Sequence, residues 1–138
     1  MEISVYTDGG ARGNPGPAGY GLVVYDQSHQ ILYQEKKFLG VKTNNEAEYL
    51  GLIAALAWVQ NNSSKFSLHQ ITFYSDSELL VRQILGLYKV KSKNLKPLFA
   101  TAQNLFTQIN LPYQFRHVLR EGNSLADKLA NQAMDLRP

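Results

Sequence analysis

The chain has 138 residues, of which 44% are hydrophobic, and its 14 basic and 11 acidic side chains leave a formal net charge of +3. This length and apolar content fit one soluble domain over residues 1–138 with a single core, and they exclude a disordered chain. The absence of cysteine excludes a disulfide scaffold, a thiolate metal site and cysteine nucleophilic catalysis, and it leans toward a cytoplasmic protein.

Residues 1–6 carry Glu2 where a signal peptide needs basic residues, so no targeting segment is read there. Ile3, Val5 and Thr7 alternate with Ser4 and Tyr6, which predicts a strand over residues 2–8 ending on Asp8. The density of Gly and Pro in residues 9–19 predicts a loop without regular structure. Residues 20–25 and 30–39 read as two further strands joined by the polar turn 26–29, forming an antiparallel meander with the first. Residues 43–62 are too long and too rich in Ala and Leu for a strand and read as a helix. Its middle, residues 50–59, is apolar nearly all round and is expected to be sandwiched between layers. That run is the longest apolar stretch and falls far short of the ~20 residues of a membrane span, so no membrane partner is expected.

A strand over residues 70–74 leads into Ser75-Asp76-Ser77, and residues 78–87 read as a helix. A basic connection (89–96), a helix (97–108), a strand (112–118) and a closing helix (124–134) complete the chain. Charge is unevenly spread: residues 79–120 hold seven basic side chains and no acid, while the other seven basic and all eleven acidic residues lie elsewhere. The element order β-β-β-α-β-α-α-β-α predicts an α/β fold whose mixed sheet has three antiparallel hairpin strands plus two parallel ones, flanked by helices. Ligands are expected at the strand C-terminal ends of such a sheet.

Asp8 and Asp76 each stand at such an end and are followed by small residues. On parallel neighbouring strands their carboxylates would emerge at one edge, where a divalent cation relieves the repulsion; Mg²⁺, a hard ion with oxygen ligands, suits them best. Taken singly, Asp76 also fits a helix N-cap and Asp8 a turn residue. The entrance to the first helix, Thr43-Asn44-Asn45-Glu46-Ala47-Glu48, offers two more acids. Thr43 and Glu46 match a capping box, whereas Glu48 has no such task. Both glutamates lead into apolar stripes, so helical spacing does not choose between them. Asp127 lies in the first turn of the last helix, where the helix dipole favours any carboxylate. His29, His69 and His117 are isolated, and the Gly-rich segment leads into a strand with no Lys-Ser/Thr after it, which is weak support for nucleotide binding.

Five blocks occur in a fixed order: Tyr6-Thr7-Asp8-Gly9-Gly10, residues 13–21, residues 43–48, Tyr74-Ser75-Asp76-Ser77, and Asn123-Ser124-Leu125-Ala126-Asp127. Together they resemble ribonuclease H of type 1, in its archaeal-like branch that lacks the basic protrusion. The resemblance implies a five-stranded mixed sheet and a two-metal site formed by Asp8, Glu48, Asp76 and Asp127, which leaves Glu46 its capping task. It implies two Mg²⁺ ions, with Mn²⁺ as a substitute, and hydrolysis of the RNA strand of RNA/DNA hybrids to 5′-phosphate and 3′-hydroxyl ends. It nominates Gly9, Gly10, Arg12, Asn14, Asn44 and Asn45 as readers of the 2′-hydroxyl and Thr43 as a phosphate contact or cap. Ser77 is nominated beside them.

Two departures from the family pattern stand out. Glu78 occupies a position where many members carry Gln, and Arg120 is the counterpart of a catalytic loop His. Lys89 and Lys91, in an alternating basic segment, fit a nucleic-acid backbone or a solvated turn. A nuclease of the same fold acting also on double-stranded RNA, and a non-cleaving hybrid-binding module, are the alternatives. The chain is expected to be a monomer.

Overall fold

The computed structural model describes residues 1–136. Strands β1 (Glu2–Ala11), β2 (Gly16–Asp26), β3 (Ile31–Lys42), β4 (Gln70–Ser75) and β5 (Tyr113–His117) form one sheet in the order β3-β2-β1-β4-β5. The β1–β2 and β2–β3 pairs are antiparallel, and the β1–β4 and β4–β5 pairs are parallel. This is the mixed sheet expected from the element order.

Helix α1 (Asn44–Asn62) lies between the sheet and α3 (Leu95–Thr107). Its Tyr49, Leu52, Leu56 and Val59 pack on Ile3, Val5, Leu22 and Phe73, and Ile53 and Trp58 are half-buried against the same core. A helix apolar on nearly every side is stable in that place because both faces leave water, each large side chain contributing roughly 1.5–3 kcal/mol. Helix α4 (Ser124–Asp135) covers the opposite face over β2, where Val23, Ala126 and Leu129 form a second cluster. Helix α2 (Glu78–Ile84) is shorter than residues 78–87, and α3 starts at Leu95 with Pro97 in its first turn, where a missing N–H costs little. Residues 85–94 connect them without a helix, as the resemblance to the branch without a basic protrusion implies. Among the described residues, no helix is long and apolar enough to cross a membrane.

The expected irregular loop over residues 9–19, and with it a first strand ending on Asp8, is not what forms. Residues 9–19 are mostly strand: β1 continues to Ala11, β2 begins at Gly16, and Gly9 pairs with Tyr20, Gly10 with Gly19, and Ala11 with Ala18. Gly9 and Gly19 in these strands serve close approach rather than turning. A Cβ on Gly9 would lie 2.4 Å from the carbonyl carbon of Ala47 in α1, and one on Gly21 would lie 2.2 Å from the Ala126 oxygen in α4. Glycine weakens a strand locally, but here it lets a helix settle on each face of the sheet at the same level.

Candidate active site

Those two contacts position the carboxylates. Side chains alternate along β1, so Thr7 and Gly9 face α1 while Asp8, opposite Gly21, faces α4. Because α1 sits against Gly9, Glu48 reaches the strand, and its Oε1 accepts from the Gly9 N–H at 3.0 Å. The same N–H donates to Asp8 Oδ1 at 2.9 Å. Ser75, on the α1 face of β4 with Ile71 and Phe73, donates from its hydroxyl to Glu48 Oε2 at 3.4 Å. The parallel β1–β4 pairing ends at Thr7 and Ser75, so Asp8, still within β1, and Asp76, just past the end of β4, lie side by side. Asp76 is not the cap of α2. That task falls to Ser77, whose hydroxyl accepts from the Leu80 N–H at 3.2 Å and leaves the Asp76 carboxylate free of it.

Asp8, Glu48 and Asp76 offer carboxylate oxygens that all lie within 4.8 Å of one another. Asp8 and Glu48 are buried, each 7% exposed. Burial, then repulsion by Glu48 and Asp76, pushes the Asp8 carboxyl well above the carboxylate range. Burial also raises Glu48, against hydrogen bonds from its neighbours that favour its charged form. Asp127, in the first turn of α4, lines the same cleft and adds to the rise of Asp8. Asn123 anchors this helix start by donating from Nδ2 to the Thr7 carbonyl at 2.9 Å. The donor set consists of carboxylate oxygens without thiolate or imidazole, the chemistry that suits Mg²⁺ or Mn²⁺.

The cleft has a volume of about 350 Å³ and brings together most of the residues nominated from the sequence. Asp8, Glu48, Asp76 and Asp127 share it with Gly9, Gly10, Asn44, Asn45, Ser77 and Arg120, the last in a short 3-10 turn (Arg120–Asn123) before α4. Six other nominated residues do not line it. Thr43 caps α1 and forms the full capping box with Glu46, so both are engaged in the helix start. Asn14 accepts from the Asn44 N–H at 2.9 Å, and Asn44 accepts from the Ala11 N–H at 2.8 Å, which fixes the β1–β2 turn against α1. Arg12 pairs with Asp135 at the far end of α4. Glu78 pairs with Arg82 at 2.8 Å. Lys89 and Lys91 are exposed on the connection between α2 and α3. Two further residues build the site without belonging to any motif: Ser75 supports Glu48, and Met134 walls the cleft. Strand alternation with Ile71 and Phe73 was the available signal for Ser75.

A family described as reverse transcriptase-like matches residues 6–133. The chain superposes on LC11-RNase H1, solved in complex with an RNA/DNA hybrid, with a TM-score of 0.90 and 44% identity over 96% of each chain. It superposes on RNase H1 of the archaeon Halobacterium salinarum with a TM-score of 0.87 and 35% identity, over 98% of each chain. The chain belongs to the type 1 ribonuclease H family. The chain is also 43% identical, over 98% of its length, to the bifunctional protein Rv2228c of Mycobacterium tuberculosis. It spans only 36% of that protein's length.

Proposed function

We propose that the chain is an endonuclease that hydrolyses the RNA strand of RNA/DNA hybrids with two divalent ions, Mg²⁺ or Mn²⁺, leaving 5′-phosphate and 3′-hydroxyl ends. The observation that carries this reading is the packing of three carboxylates within 4.8 Å, Asp8 on β1, Asp76 just past the end of β4 and Glu48 on α1. Asp8, Glu48, Asp76 and Asp127 would hold the ions. Ions held there would activate the attacking water and stabilise the leaving 3′ oxygen of an in-line displacement.

The remaining roles follow from the side chains. The Gly9 N–H holds the Asp8 and Glu48 carboxylates in one orientation. Gly9, Gly10, Asn44 and Asn45 line the cleft with backbone and amide groups, which suit the 2′-hydroxyls that separate RNA from DNA. Arg120 supplies a positive charge at the cleft for the scissile or released phosphate. Glu78 is paired with Arg82, which offsets its charge. Residues 1–138 are proposed to act as one monomeric domain in the cytoplasm.

The test is to incubate labelled RNA/DNA, RNA/RNA and DNA/DNA duplexes with the protein and Mg²⁺ or Mn²⁺. Cleavage confined to RNA in the hybrid supports the proposal. Comparable cutting of RNA/RNA, or hybrid binding without cutting under either ion, contradicts it.

A further inference from the structure

The two edges of the sheet are treated differently. Along β3 the pairing with β2 is interrupted by two register shifts, and Lys36 and Lys37 are exposed, both of which discourage an added strand. Strand β5 has no bulge and no internal proline. The Pro112 carbonyl accepts from the Ile71 N–H and the Val118 N–H donates to Ser75, so even-numbered residues of β5 turn their backbone groups toward β4. Tyr113, Phe115 and His117 therefore turn theirs outward, and no backbone partner meets them among the described residues.

Beside this open edge lies a groove of about 370 Å³ lined by Ile84, Leu85, Phe106, Tyr113, Phe115 and Arg116. Leu85 is 52% exposed and Tyr113 42%. Of the eight large hydrophobic side chains left exposed among the described residues, two, Leu85 and Tyr113, line this groove, and exposed apolar surface around a concavity marks an interaction site. The same part of the chain carries no acid from residue 79 to residue 120. Arg82 is paired with Glu78, but Arg116 lines the groove and Lys89, Lys91 and Lys93 are exposed on the connection that leaves Leu85.

We propose that the outer edge of β5 and its groove dock an extended acidic peptide of a partner protein as a sixth strand. The peptide's backbone would pair with the outward groups of Tyr113, Phe115 and His117. Apolar side chains at alternate positions, ~7 Å apart, would enter the groove, and carboxylates on the other positions would meet Arg116, which alternates with Tyr113 and Phe115. This surface is separate from the carboxylate cleft, so the inference does not depend on the nuclease reading.

The test is to pan a library of random peptides displayed on phage against the full chain at low salt and to synthesise the enriched sequences. The proposal expects acidic peptides with apolar residues at every second position. Their affinity should fall about tenfold or more with Leu85→Glu and with Arg116→Glu, and as much when alternate peptide nitrogens are methylated, since main-chain bonds supply much of the affinity in strand addition. Cleavage of an RNA/DNA hybrid by Leu85→Glu should be unchanged. The proposal is overturned if no sequence is enriched, if N-methylation leaves binding intact, or if an RNA/DNA hybrid displaces the peptides and loses affinity for Leu85→Glu, which would give the groove to nucleic acid.

Discussion

Glu46 and Glu48 are two residues apart and share the same sequence context, yet they do different work. Glu46 completes the capping box with Thr43, whereas Glu48 is buried and bonded to Gly9 and Ser75. Glu46→Gln should therefore keep most hybrid cleavage, because Gln also serves a capping box, while Glu48→Gln should lose it in a steady-state assay. The opposite pattern would reverse the assignment. The raised Asp8 and Glu48 carboxyls give a second expectation. Their folded pKa values exceed their unfolded ones, so the folded chain holds protons that the unfolded chain releases. That stability is complete below about pH 4 and is lost as pH rises through the folded values. In a chelator the melting temperature should fall on going from acidic to alkaline buffer, and Asp8→Asn or saturating Mg²⁺ should flatten the slope. A slope of the same size in Asp8→Asn would remove these carboxyls as its cause. At the cleft, Arg120→Ala should slow turnover more than it weakens hybrid binding. An unchanged rate would leave Arg120 a phosphate contact only.

At the scale of elements, the strands, the capping box and the sandwiched helix were legible because their signals are local: alternation, a cap spacing, and an apolar run longer than a strand. The β1–β2 hairpin was not. Gly9, Gly19 and Gly21 carry low strand propensity, and the reason for them is the approach of α1 and α4 from outside the segment, which local pattern does not encode. The site was legible in its acids for a related reason, since the ends of parallel strands are where such a fold gathers side chains. Its supports were less so. Ser75 reads as an ordinary polar residue until β4 is placed beside Glu48, and Ser77 took the capping task that Asp76 alone fitted equally well. If the helix contact is what matters, Gly21→Ala should cost roughly 1–3 kcal/mol in denaturant unfolding, because the added carbon meets the backbone of Ala126. It should also reduce cleavage by shifting Asp127. Wild-type stability in that variant would mean α4 can move without penalty.

For the molecule as a whole, the modest net charge of +3 divides into two working parts. Four of the eleven acids gather in one cleft, where two divalent ions would offset their charge. The acid-free residues 79–120 bear cations beside an open sheet edge. With its ions in place the chain would be a polyanion binder, and phosphate contacts spread along the duplex would dominate its affinity. Losing one carboxylate should then remove catalysis and leave binding nearly intact. The most direct measurement is cleavage of an end-labelled RNA/DNA hybrid in Mg²⁺ by the wild-type chain and by Asp76→Asn, with hybrid affinity measured in parallel. The predicted result is internal cutting of the RNA strand by the wild type and none by the variant, with affinity within about tenfold of wild type. Full cleavage by Asp76→Asn would contradict the assignment of the carboxylate cleft as the catalytic centre.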